Sequence, residues 1–230
     1  MAETNYLKAR ATAEEIENKS AVAYVLMGLG DVYKDRGEIA QARKHYEGSL
    51  ALRKQTGEKQ TLGETEVALA SLSIEDGHAA ESETTLRQWR NLFHSERQAD
   101  DELAASVGLA LALLAEGRQA DAQKEIEGSR ELAAKSQNLL YRLQYELMFA
   151  RVLLASEHPE LSKPRLQQIL RDARAHSFAG LELEALLTSA ELEKRSGHAV
   201  LAREQLASLE KAARGKGFDL VARKAAAARG

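Results

Sequence analysis

Small, large apolar and polar positions recur along this chain every 40 residues, most clearly between Leu29 and Tyr46. The glycine positions of the pattern are Gly37, Gly77, Gly117 and Gly197, with Glu157 in the vacant place. Such a period is typical of proteins that stack similar supersecondary units.

Three further columns keep the same period. The residues seven before the glycine position are all small: Gly30, Ala70, Ala110, Ala150 and Ala190. The residues five after it are small as well: Ala42, Ser82, Ala122, Ser162 and Ala202. The residues nine after it are large: Tyr46, Leu86, Ile126, Leu166 and Leu206. Antiparallel helices approach closely where both present small side chains, and glycine reverses the chain at a helix end. Each unit is therefore predicted to be a helix A, a turn and a helix B.

The predicted units cover the whole sequence. They are an unpaired helix B at 2–18, five hairpins at 21–57, 60–97, 100–137, 138–177 and 178–217, and a capping helix at 218–228. We expect a continuous third helix B at 119–136 and an irregular start to the fourth, because proline fits only the first turn of a helix. Since Tyr6 lies 40 residues before Tyr46, the chain is expected to begin in mid-repeat as a fragment of a longer protein. A native N-terminal capping helix is the alternative.

Composition supports an all-α protein and limits its partners. Good helix formers dominate, with only two prolines. A net charge of −3 from mixed basic and acidic residues argues against nucleic-acid binding. The absence of cysteine excludes disulfides and thiolate metal sites, and no apolar run approaches a membrane span. The basic residues near the C-terminus are expected to form a solvated tail.

The unit between Leu29 and Tyr46 resembles the tetratricopeptide repeat (TPR) in the relative positions of Leu29, Gly30, Tyr33, Gly37, Ala42 and Tyr46. Two departures are Leu26 at the signature aromatic position and the missing closing proline. The resemblance implies an all-α, right-handed α-solenoid of antiparallel helix hairpins. The passage from Leu206 onward also resembles the end of the repeat arrays that follow the kinase domain in bacterial serine/threonine-kinase-like receptors, although no kinase motif is present.

The sequence offers little support for catalysis. Gly28-Leu29-Gly30 lies inside a helical pattern without a preceding strand, so it does not fit a dinucleotide fingerprint. The six histidines show no i,i+4 pair typical of a metal site. Trp89 and Phe93, four residues apart, are expected to belong to the core. We therefore predict no catalytic residues, no metal and no cofactor.

The remaining candidate is the concave surface that the A helices line in a TPR-like stack. The inward positions taken as a peptide-binding groove are Tyr24, Met27, Asp31, Val67, Ser71, Val107, Leu111, Leu114, Leu147, Arg151, Leu187 and Glu191. An apolar middle flanked by charges suits an amphipathic helix or an extended apolar peptide. The alternative is a superhelix tight enough for these residues to pack on one another.

These observations predict a protein–protein interaction module of a larger bacterial signalling or regulatory protein, not an enzyme. The predicted partner is a protein or peptide in the concave groove, with no nucleic acid and no membrane insertion. Self-association through the unpaired N-terminal helix is a further expectation. A small-ligand or peptide sensor and a structural or oligomerisation spacer remain alternatives, and the expected location is cytoplasmic.

Overall fold

The structure, a computed structural model, describes residues 2–230 and is all helical over that range. In chain order the helices are α1 Ala2–Glu15, α2 Lys19–Asp35, α3 Ile39–Thr56, α4 Lys59–Glu75, α5 Ala79–Ser95, α6 Ala99–Ala115, α7 Gln119–Gly128, α8 Arg130–Lys135, α9 Leu139–Ala155, a 3₁₀ turn at Pro159–Leu161, α10 Ser162–Ala175, α11 Ala179–Arg195, α12 Ala199–Lys216 and α13 Asp219–Arg229. Consecutive helices pack against each other throughout. The chain is an α-solenoid of TPR-like antiparallel helix hairpins, as the sequence predicts.

The columns of small and large residues form the seams between helices. Ala110 and Ala122 are fully buried on facing helices α6 and α7, and Leu86 and Ile126 are fully buried beside such contacts. At Gly30, an added Cβ would overlap the Tyr46 ring. The seam therefore requires the small residues that the 40-residue pattern supplies, because interiors are close-packed.

Two sets of turns reverse the chain. Gly37, Gly77, Gly117 and Gly197 all have positive φ, between 69° and 87°, as expected for glycine at a helix C-terminus. The second set joins one hairpin to the next and has positive φ at Glu17, Gly57, Arg97, Ser177 and Gly217. This set also follows the 40-residue spacing, although three of its members carry side chains.

The third helix B is not continuous, which corrects the expectation of one helix at 119–136. It is divided at Ser129 into α7 and α8. The Ser129 hydroxyl donates to the Glu125 carbonyl at 3.1 Å, and its amide donates to the Ile126 carbonyl at 3.3 Å, so the chain tightens locally. In the fourth unit, the irregular start is a 3₁₀ turn at Pro159–Leu161, followed by α10 from Ser162.

The C-terminal basic residues do not form a solvated tail. Arg223 on α13 donates from Nη2 to the Gly37 carbonyl at 2.6 Å. Lys224 Nζ lies 2.7 Å from Glu75 Oε1 and 3.6 Å from Glu184 Oε1. The last helix therefore contacts the first hairpins, and the solenoid closes around its concave side.

Within residues 2–230, no helix combines the length and the apolar character that crossing a membrane would require.

Candidate functional site

The concave side of the solenoid encloses a cavity of about 680 Å³. Its wall is built from the A helices α2, α4, α6, α9 and α11, with contributions from α5, the loops and α13. A volume of this size lies within the usual range of ligand pockets, about 300 to 1,000 Å³. The alternative of a fully self-packed interior is therefore not what the structure shows.

Eight of the twelve predicted groove residues line this cavity. They are Met27, Asp31, Val67, Ser71, Val107, Leu111, Leu147 and Arg151. These residues come from α2, α4, α6 and α9. Their role in binding a peptide stays a prediction.

The other four predicted residues do not line the cavity. Tyr24 is 71% exposed, and Leu114 packs against the central core. Leu187 is 4% exposed and packs with α12 and α13, and Glu191 is not among the lining residues. The physical reason for the last two is that α13 covers the C-terminal half of α11. The cavity-lining residues of α11 therefore come from its first half and are Ala179, Gly180, Leu181 and Glu184.

Several lining residues follow the 40-residue period but are not among the predicted groove residues. Glu64, Ala104, Gln144 and Glu184 all line the cavity, and they stand 40, 80, 120 and 160 residues after Tyr24. Of this column, Tyr24 alone belongs to the predicted groove residues. Asp101 was also missed, because an acidic run at a helix start is usually solvated near the positive end of the helix dipole.

The middle of the cavity is apolar. Val67 on α4, Val107 and Leu111 on α6, and Leu147 on α9 line it. The corresponding central residue of α2 is Met27, an unbranched side chain that adapts to irregular neighbours. Removing this surface from water would supply the main favourable term for an apolar ligand.

One end of the cavity holds the carboxylates Glu64 and Asp101. Asp101 is 8% exposed and accepts a hydrogen bond from the Gln60 amide at 2.8 Å. Burial raises the pKa of Glu64, and the nearby Asp101 raises it further. Burial likewise raises the pKa of Asp101. Tyr141 stands beside them, and burial followed by the two carboxylates raises its phenol pKa.

The opposite end of the cavity holds Asp31, Asp35 and Glu184. Asp31 is held in place because the buried Tyr46 hydroxyl donates to it at 2.6 Å, and Lys34 Nζ is 3.6 Å from it. Glu184 is paired with Arg151. Burial raises the pKa of Asp35 to about 6, which Lys34 opposes and the neighbouring carboxylates Asp31 and Glu184 reinforce.

The site is suited to noncovalent binding. Among residues 2–230, no group of three or more histidines and carboxylates is placed to hold a metal ion. The polar groups of the cavity are carboxylates, amides, two cations, the Ser71 hydroxyl and the Tyr141 phenol. Such groups around an apolar floor can orient a ligand and match its charges.

Fold and cavity together define the class: a TPR-like α-solenoid with a closed concave side. The solved structures that are similar to the chain include two of TPR-like repeats. One contains nearly identical TPR-like repeats of a Podosopora anserina protein described as a kinesin light chain. It is 20% identical, with a TM-score of 0.54, and covers 87% of this chain and 98% of its own. A variant of those repeats is also 20% identical, with a TM-score of 0.53 and coverages of 83% and 93%. These similarities concern the fold.

No protein-family model matches the sequence, and no curated protein matches it either.

Proposed function

We propose that this chain is a docking module of a larger bacterial signalling or regulatory protein, and that it binds a peptide or a helix in the concave cavity. The observation that supports the proposal is a 680 Å³ cavity with an apolar floor and polar ends. Support for the signalling context comes from the resemblance of the closing passage to receptor-associated repeat arrays. A cytoplasmic location is part of the same proposal.

The experiment is a selection from a displayed library of unstructured peptides, followed by affinity measurements on synthetic copies of the binders. Leu111→Glu should weaken binding at least about thirtyfold, because it places an unpaired charge on the apolar floor at a cost of about 2 kcal/mol. Circular dichroism should show unchanged helical content.

Leu201→Glu is the matched control, since Leu201 is 44% exposed on α12, outside the cavity. Its affinity should equal that of the original chain. Binding that persists in Leu111→Glu, or a selection that yields no binder, would contradict docking in the cavity.

A second candidate function is sensing of a small ligand, which the closure of the solenoid by Arg223 and Lys224 favours. In that case a ligand would bind within the cavity and stabilise the closed form. A small molecule that raises the melting temperature, with a loss of the effect in Leu111→Glu, would favour this candidate over a peptide.

Self-association is proposed through α1. Tyr6 packs against α2, and an added Cβ at Gly28 would overlap the Tyr6 ring. Leu7 and Ile16 remain 47% and 65% exposed. Sedimentation velocity should therefore show a concentration-dependent dimer that the double variant Leu7→Lys, Ile16→Lys abolishes. A chain that stays monomeric at high concentration would contradict this proposal.

A further inference from the structure

The charges around the cavity are unequal in number. Six carboxylates line it, namely Asp31, Asp35, Glu64, Glu75, Asp101 and Glu184. The basic side chains in the lining are Lys34 and Arg151. The cavity therefore has a formal charge of −4 before Lys224 at the rim is counted, although the chain as a whole has only −3.

The carboxylates differ in how well they are neutralised. Glu75 is paired with Lys224, and Glu184 is paired with Arg151. Within the described residues 2–230, Asp35 and Asp101 form no ion pair, and the nearest cation to Glu64 is Arg53 at 3.9 Å. Burial raises the pKa of all three of these groups. Each would gain from a ligand cation, because an opposite charge nearby stabilises a carboxylate.

These three carboxylates lie at the two ends of the apolar floor. Glu64 is close to Asp101 at one end, and Asp35 is close to Asp31 and Glu184 at the other. The distance between the two ends can be read along α4. Glu64 lies at one end, and Glu75, which stands at the repeat position of Asp35, marks the other; the two are eleven residues apart. Eleven residues correspond to about 16 Å along a helix axis.

An extended segment reaches from one end of the cavity to the other with few residues. An extended chain rises about 3.3 Å per residue, so five steps between side chains span the same distance.

We propose that the cavity binds an extended peptide segment with a basic side chain at each end of an apolar stretch of about four residues. The ammonium or guanidinium groups would lie against Glu64 with Asp101 at one end and Asp35 with Asp31 at the other, and the apolar side chains would cover Val107 and Leu111. This inference rests on the proposed docking function and names its partner.

The test uses acetylated and amidated hexapeptide pools whose four central positions are drawn from Ala, Val, Leu and Ile. The two outer positions are both Lys, both Gln or both Glu. Fluorescence-detected binding to the full chain should favour the Lys pool over the Gln pool at least about tenfold, and the Glu pool should bind weakest.

The double variant Asp35→Asn, Glu64→Gln removes one carboxylate from each end and should bring the Lys and Gln pools within about twofold of each other. The control is Glu15→Gln, Glu157→Gln, which changes two exposed carboxylates outside the cavity and alters the net charge equally. It should retain the tenfold preference.

Each result has one consequence. Equal binding of the three pools, all lost in Leu111→Glu, overturns the charge inference and leaves docking in the cavity intact. If the preference for the Lys pool survives in the cavity double variant, the overall charge of the chain causes that preference, and the inference is overturned. The inference is also overturned if no pool binds while library-selected peptides do. If neither the pools nor library peptides bind, the proposed function itself is contradicted. Tight binding of spermine with no preference among the pools also overturns it, because the charge pattern then belongs to a polyamine site.

Discussion

At the scale of single residues, Asp35 is a carboxyl whose ionisation opposes folding. Its pKa rises from 3.8 to about 6, chiefly because of burial, with Asp31 and Glu184 adding to the effect and Lys34 opposing it. It is also the last residue of α2, where the negative end of the helix dipole disfavours an anion. Between about pH 4 and pH 6 the folded chain binds more protons than the unfolded chain, so this group lowers stability as the pH rises.

Asp35→Asn should therefore raise the free energy of unfolding at pH 7.5 by about 1–2 kcal/mol. The full shift corresponds to about 3 kcal/mol, and partial exposure of Asp35 reduces it. The gain should vanish near pH 3, where Asp35 is protonated in both the folded and the unfolded chain. Urea unfolding at the two pH values measures the difference.

Glu157→Gln is the control for this substitution, because Glu157 is exposed and outside the helices. It should be neutral at both pH values. A loss of stability in Asp35→Asn at pH 7.5 would mean that the Asp35 carboxylate is compensated in the folded chain.

Trp89 illustrates what residue-level sequence analysis could and could not foresee. Its burial was expected from its apolar character and its spacing from Phe93, and it is 5% exposed. Its partners were not foreseeable, because they lie on another helix: its indole nitrogen donates to Glu66 at 2.6 Å, and its ring occupies the space where Gly63 would carry a Cβ. A bulky residue is thus accommodated by a glycine within its own hairpin.

At the scale of helices, the repeat period predicted the seams well because each seam depends on residues at fixed distances along one hairpin. The same period placed the turns between hairpins, but it did not predict the positive φ of Glu17, Arg97 and Ser177 within them. The left-handed conformation is usually signalled by glycine or asparagine, and these positions carry neither. The break at Ser129 was missed for a similar reason, since neither glycine nor serine necessarily ends a helix.

Ala110→Leu should destabilise the chain by about 1–3 kcal/mol. Ala110 is fully buried where α6 meets its neighbours, so the added atoms must displace packed side chains or move a helix. Thermal and urea unfolding followed by circular dichroism would measure the loss.

Ala51→Leu serves as the matched substitution, at an exposed position inside α3. It should change stability by no more than about 0.5 kcal/mol. A neutral Ala110→Leu would show that the small-residue column does not mark close helix approach.

At the scale of the whole molecule, the contact between the last helix and the first hairpins was beyond the reach of the sequence. Arg223 and Gly37 are separated by 186 residues, and their meeting depends on the small rotation between hairpins summed over the entire stack. The same accumulated rotation brings α13 over α11, which is why most predicted groove residues of α2 to α9 line the cavity while those of α11 do not. Local patterns determine each hairpin, whereas the curvature is a property of all of them together.

The contact that closes the solenoid should be weak, and reversing the charge of Lys224 should open it. Lys224 bridges Glu75 and Glu184, and these side chains keep between 22% and 29% exposure, so solvent screens the pairs substantially. Lys224→Glu replaces the attraction with repulsion from both carboxylates. The radius of gyration measured by small-angle X-ray scattering should increase, while the free energy of unfolding falls by only about 1–2 kcal/mol because each hairpin retains its own seams.

Lys211→Glu, at an exposed position on α12, supplies the control with the same change of net charge. An unchanged radius in Lys224→Glu would show that apolar packing of α13 suffices to hold the solenoid closed. An increase confined to low ionic strength would instead identify charge repulsion across the rim as its cause, because salt screens exposed charges more than a Debye length apart.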